Sequence, residues 1–141
     1  MMNEKMVSKR APEPVGPYPH ARQVGDLIFV SGMGPRQPGT KVIPGVDLDE
    51  SGRIRAYDIV VQTRACIENI RNVLEDMGAS LEDVVDVSVF LTNMKDDFQH
   101  FNKVYGEYFA KSGPTRTTVE VLSLPTPIAV ELKCIAYKPR K

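Results

Sequence analysis

Histidine and cysteine are scarce in this 141-residue chain, with two of each, and neither charge sign is in excess, since 18 basic residues face 18 acidic ones. The scarcity bears first on metal chemistry. A catalytic zinc draws on about three protein ligands at workable spacing. Here His20 and His100 stand far apart in sequence, and Cys66 and Cys134 form no Cys-x-x-Cys pair. No metal site is predicted. The same two cysteines make no disulfide framework, and reduced, buried thiols are the expectation. Zero net charge argues against broad electrostatic binding to nucleic acid or to an acidic membrane. No stretch nears the roughly 20 apolar residues of a membrane span. Lys5, Lys9 and Arg10 are followed by no apolar core of the kind a secretory signal needs, so a cytoplasmic protein is expected. A nucleophile elbow, a phosphate loop and a dinucleotide fingerprint are also missing. Gly32-Met33-Gly34 lacks the third glycine and the following helix of such a fingerprint.

What is present is the composition of one globular domain, 1–141, with 42% apolar and 26% charged residues. Pro12, Pro14, Pro17 and Pro19 fix their own backbone and remove donors, so residues 1–15 are expected to start the chain as an irregular arm. Within Gln23–Val30, Gly25-Asp26 reads as a turn and Leu27-Ile28-Phe29-Val30 as a short strand, broken by Ser31-Gly32-Met33-Gly34-Pro35. Gln37–Ser51 reads as an extended loop or loose hairpin. Ile59, Cys66, Ile70, Val73, Leu74 and Met77 recur at helical spacing, and Gly78 is the expected C-cap. Ser80–Asp83 reads as a turn with its own N-cap. Val84–Thr92 is β-branched and apolar, hence a strand. Asn93–Asp97 reads as a polar connection, and Phe98–Phe109 as a second helix. Thr115–Val121 and Ala129–Tyr137 read as strands around the turn Leu124-Pro125-Thr126-Pro127. An α/β (α+β) layer follows, with two helices on one face of a sheet. The chain offers no third layer, so the bare sheet face is expected to pack against other subunits.

Two charged residues stand in strands where bland ones are the norm. Arg116 opens one, and a guanidinium holds a carboxylate through two parallel hydrogen bonds better than lysine does. Glu131 lies between Val130 and Leu132, where a carboxylate is paired, proton-shifted or simply on the wet face. Each, taken alone, also reads as a solvated surface residue. Alternation places Arg116, Thr118 and Glu120 on one face of their strand. It places Glu131, Lys133 and Ile135 on one face of the last strand, with Cys134 pointing away. Arg116 and Glu131 meet only if the register of the hairpin that the two strands are expected to form sets both on one side.

The ordered set Gly16-Pro17-Tyr18, Ser31-Gly32, Val89-Phe90-Leu91-Thr92, Phe98 with Asn102 and Tyr105, Pro114-x-Arg116-Thr117-x-Val119-Glu120-Val121, Leu124-Pro125 and Glu131 resembles the Rid (reactive-intermediate deaminase) family. The resemblance runs from about Gly16 to Tyr137. Gly16-Pro17-Tyr18-Pro19-His20-Ala21, Gly34-Pro35-Arg36-Gln37, Ile43-Pro44-Gly45-Val46 and Leu124-Pro125-Thr126-Pro127-Ile128-Ala129 are most similar to the 2-aminomuconate deaminases within it. The resemblance implies chorismate-mutase-like subunits in a homotrimer, with sites in the clefts between neighbours; whether two trimers pair into a hexamer is left open. It implies a cofactor-free hydrolase that converts 2-aminomuconate to 4-oxalocrotonate and ammonia in aromatic catabolism. In it Arg116 holds the substrate carboxylate, Glu131 positions or activates a water, and Tyr18, Ser31, Gly32 and Asn102 line the pocket. Many family members have cysteine where this chain has Thr118, so thiol-linked behaviour does not carry over.

An enamine of a keto acid is protonated at carbon, and water then attacks the imine. Arg116 is the expected anchor, Glu131 the proton shuttle, and Tyr18 a donor to the carboxylate or the leaving amine. A second substrate carboxylate asks for a second cation, for which His20, Arg36 and Lys133 are the candidates in that order. Broader 2-iminoacid deamination and, from another class, non-catalytic keto-acid binding or regulation are the alternatives.

Overall fold

The computed structural model describes residues 3–139, with the side chain of Asn3 left aside. Strands β1 (Asn3–Met6), β2 (Ala21–Val24) and β3 (Leu27–Met33) form an antiparallel meander. A separate two-stranded ribbon follows, β4 (Val46–Leu48) with β5 (Ile54–Tyr57). Helix α1 (Ile59–Asp76), a 3-10 turn at Leu81–Asp83, β6 (Val84–Leu91), helix α2 (Met94–Phe109), β7 (Thr115–Glu120) and β8 (Val130–Tyr137) complete the chain. The main sheet has the order β1-β2-β3-β8-β6-β7. β6 and β7 run parallel, joined by α2, and all other neighbours in that sheet run antiparallel.

Local chemistry explains the elements. Asp58 caps α1 by accepting the Val61 N–H at 3.1 Å. The chain leaves α1 through Gly78 at φ 80°, a left-handed position open to glycine. β8 alternates without a break, burying Val130, Leu132, Cys134 and Ala136 under the helices and turning Glu131, Lys133, Ile135 and Tyr137 to the other side. Ile67, Ile70, Leu74, Val89, Leu91, Phe101, Phe109 and Leu132 fill the layer between helices and sheet, each fully or almost fully buried. Each such side chain contributes about 1.5–3 kcal/mol on burial. Cys66 and Cys134 are buried free thiols within this layer, as expected.

The mixed α+β domain with both helices on one face agrees with the sequence reading. Four details differ. β3 continues through Ser31 and Gly32 to Met33, with a bulge where a break was expected. Asn3–Met6 is a strand, because the edge of β2 gives it a backbone partner, so the arm is irregular only beyond it. Asn93 is a helix cap, accepting the Asp96 N–H at 3.0 Å, so α2 begins four residues before Phe98. β7 and β8 form no hairpin, because β6 lies between them. The opposite face of the sheet is bare of helices. It presents exposed Leu27, Phe29, Val119 and Tyr137, with half-buried Phe90 and Ile135. Among the described residues no helix is long and apolar enough to cross a membrane.

Candidate functional site

Register decides which predicted residues meet. Arg116 pairs with Val87, and Val87 with Cys134, a row in phase with the helix-covered face. Glu131 pairs with Phe90, and Phe90 with Val119, a row in phase with the open face. Arg116 and Glu131 therefore stand on opposite faces of the sheet within one chain. The candidate site residues form two groups.

The first group surrounds Glu131. Tyr18, His20, Ser31, Gly32, Arg36 and Glu131 border one small cavity of about 50 Å³, with Pro12, Pro125 and Ile128 among its other walls. That is room for a few water molecules. A bulge makes the arrangement. β3 slips register between Val30 and Met33, so Ser31 and Gly32 together face the Lys133 position of β8. The slip brings the Gly32 backbone against the Glu131 side chain. A Cβ at Gly32 would lie 2.7 Å from Glu131 Oε2 and 3.1 Å from its carboxyl carbon, so only glycine leaves the carboxyl where it is. Glu131 is half-buried, and burial raises its pKa above the ordinary carboxylate value. A carboxyl poised in this way can take up and release a proton closer to neutrality.

Two buried polar residues of α1 hold this group in place. Gln62 Oε1 accepts the Ala129 N–H at 2.9 Å, fastening α1 to the start of β8 two residues before Glu131. Asn69 Nδ2 donates to the carbonyls of Gly34 and Arg36 at 3.0 and 2.9 Å, fixing the loop that carries Arg36. Sequence reasoning passed over both. The signal was there: Gln62 and Asn69 fall on the same helical stripe as Cys66 and Val73, polar residues in a buried phase.

His20 requires a correction. It borders the cavity but is buried, with both ring nitrogens engaged. Nδ1 accepts the Ser8 N–H at 2.8 Å, and Nε2 donates to the Pro12 carbonyl at 2.6 Å. An Nδ1 that accepts carries no proton, so this ring is neutral and is no cation for a second carboxylate. It organises the N-terminal arm instead. Lys133, the third candidate, donates from Nζ to the Val30 carbonyl at 3.2 Å and is not part of the cavity wall. Ser31 donates its hydroxyl to the Pro19 carbonyl at 2.7 Å.

The second group lies on the helix side of β7, at the edge of the sheet. The Arg116 guanidinium packs over the rings of Tyr105, Phe101 and Phe98, with its central carbon 4.8, 5.5 and 5.8 Å from their centroids. No salt bridge of Arg116 occurs among the described residues. Three buried polar atoms without a hydrogen-bond partner belong here: Asn102 Oδ1, Thr118 Oγ1 and the Tyr105 hydroxyl. Burial pushes the Tyr105 hydroxyl up to about 12, so it stays a neutral donor. In the sequence Tyr105 stands among the residues that carry the family resemblance, with no role of its own assigned. A charged fork on an aromatic bed, with unpartnered donors and acceptors around it, suits a planar carboxylate. Among the described residues no group of His, Cys, Asp and Glu side chains is placed to hold a metal ion.

Comparison with known proteins covers nearly the whole chain. The family model described as endoribonuclease L-PSP matches residues 8–138. A RutC family protein of Pyrococcus abyssi is 44% identical over 138 residues, 98% of this chain and 99% of the relative. The crystal structure of YyfA, a Rid-family protein of Yersinia pestis, superposes with a TM-score of 0.83 at 31% identity, covering 96% of this chain and 99% of that one. Escherichia coli TdcF, crystallised with bound serine, superposes with a TM-score of 0.81 at 31% identity, over 96% and 99% of the two chains.

Proposed function

The chain belongs to the Rid/RutC family, and from that premise we propose that it is a cofactor-independent deaminase acting on the enamine or imine of a small carboxylic acid. The observation that carries this reading is Glu131: a half-buried carboxyl with a raised pKa, seated against Gly32 in a cavity sized for water. The bound serine of TdcF, a small molecule bearing one carboxylate and one amine, lends support from a relative.

In this reading the substrate carboxylate lies on Arg116, over the Tyr105, Phe101 and Phe98 rings, with Tyr105, Asn102 and Thr118 supplying further hydrogen bonds. Glu131 in its acid form gives a proton to the enamine carbon, converting C=C–NH₂ into C–C=NH₂⁺. The ionised carboxylate then takes a proton from water as the oxygen attacks the iminium carbon. The resulting carbinolamine collapses to the ketone and releases ammonia. No electron leaves or enters, so the chemistry needs no redox partner. Such proton transfer contributes about 10²–10⁴-fold.

Because Arg116 and Glu131 stand on opposite faces within one chain, the reading requires that Arg116 of one subunit approach Glu131 of a neighbour. The exposed apolar residues of the open face support a homotrimer with sites in its clefts, the assembly the family resemblance implies. For the substrate we propose 2-aminomuconate, as the subgroup resemblance suggests, in the setting of aromatic catabolism; short 2-iminoacids are the broader class. RNA cleavage, which the family description names, finds no paired-histidine arrangement here. His20 is buried with both nitrogens engaged, and His100 is exposed on α2.

The test generates 2-aminomuconate in situ and follows its absorbance and the release of ammonia with wild type, Arg116→Ala and Glu131→Ala. Turnover by wild type that both variants lose is the expected result. No acceleration over spontaneous decay removes 2-aminomuconate, and the same failure with short 2-iminoacids removes the deaminase reading.

A further inference from the structure

Of the three cations first considered for a second carboxylate, His20 is neutral and Lys133 is tied to Val30 outside the cavity wall. Arg36 remains, and its setting is unlike that of a surface arginine. It borders the same cavity as Glu131. Asn69 holds its backbone carbonyl and that of Gly34 at 2.9 and 3.0 Å, so the loop beneath it is fastened to the core. Its Nη2 donates to the Glu13 carbonyl, which ties the guanidinium to the arm that walls the cavity. Its Nε is buried and has no hydrogen-bond partner. No salt bridge of Arg36 occurs among the described residues.

We propose that Arg36, at the edge of the Glu131 cavity, reads a second, distal carboxylate and so makes the site selective for dicarboxylic substrates over monocarboxylic ones. The proposal rests on the deaminase reading for its substrate class. The geometry supplies the rest. Arg36 borders the cavity of Glu131, so a substrate whose first carboxylate lies on the Arg116 of a neighbouring subunit, as the deaminase reading requires, meets Arg36 with its distal end. A guanidinium with a buried, unpaired N–H is the group that gains most from a carboxylate, through a charge-assisted bond.

The experiment compares full-length wild type, Arg36→Gln and Arg36→Lys in two assays. Calorimetry measures binding of 2-oxoglutarate, a stable dicarboxylate, and of 2-oxobutyrate, its monocarboxylate counterpart. Kinetics measures kcat/KM on 2-aminomuconate and on a short monocarboxylic iminoacid. The expected result is a wild-type preference for the dicarboxylate in both assays. It falls in Arg36→Gln by on the order of tenfold to a hundredfold, the scale of one charge-assisted hydrogen bond, and is partly restored in Arg36→Lys. A wild type that binds the two oxoacids alike, or an Arg36→Gln protein that keeps the wild-type ratio, overturns the proposal. Absence of turnover on every iminoacid removes the deaminase reading instead, and the binding ratio still decides the role of Arg36.

Discussion

Among single residues, a carboxyl and the glycine beneath it set the chemistry of the proposed site. Burial raises the pKa of Glu131, so between the ordinary carboxylate value and the raised one the folded chain binds more protons than the unfolded chain. Stability then falls as pH rises through that window. Glu131→Gln removes the desolvated charge while keeping the shape. Its expected Tm lies above that of wild type at pH values over the window and near it below, as calorimetric scans across pH will show. With an iminoacid, where only water attack remains, catalysis needs the ionised carboxylate. The acid limb of kcat/KM is therefore expected above the ordinary carboxylate range. Glu131→Gln loses that limb together with about 10²–10⁴-fold of rate. Gly32→Ala tests the seat itself. Its Cβ meets Glu131 Oε2 at 2.7 Å, so the carboxyl has to move. The expected result is a fall in kcat on the order of a hundredfold, the cost of a misplaced catalytic group, with the fold retained by circular dichroism.

At the scale of elements, α1 positions the site through polar residues on its buried stripe. Gln62→Met keeps the volume but removes the acceptor for the Ala129 N–H. The expected loss is about 1 kcal/mol, because the orphaned Ala129 N–H is partly offset by removal of the Gln62 Nε2 donor, itself buried without a partner, as read from urea unfolding. The strands were legible wherever a period of two ran unbroken, as in Val130–Tyr137, and α1 wherever Ile59, Cys66, Ile70 and Val73 kept helical spacing. β1 was not legible, because Asn3–Met6 becomes a strand only through the partner β2 lends it. The relation of Arg116 to Glu131 was not legible either. Both were visible as misplaced charges in strands, but their faces depend on β6 lying between β7 and β8, a long-range pairing that no local pattern encodes. Nor could spacing reveal that His20 spends both nitrogens on Ser8 and Pro12, since a turn of the arm brings those groups to it.

At the scale of the whole molecule, the sheet has one covered face and one bare face, and the two candidate groups lie on opposite sides of it. Leu27, Phe29, Val119 and Tyr137 leave exposed apolar surface around the Glu131 row. Phe29→Glu places a charge in that surface. It is expected to shift the proposed trimer to monomers in sedimentation velocity and to abolish turnover, although Phe29 belongs to neither candidate group. An active monomer contradicts this. The most direct test of the central claim, a site assembled from two chains, is complementation between inactive variants. Arg116→Ala and Glu131→Ala proteins, each inactive alone, are unfolded together and refolded as mixed oligomers. In a cyclic oligomer with random assembly, about a quarter of the clefts join an intact Arg116 to an intact Glu131. The account predicts recovery of a corresponding share of wild-type activity. Mixed oligomers confirmed by native mass spectrometry that stay inactive would contradict it.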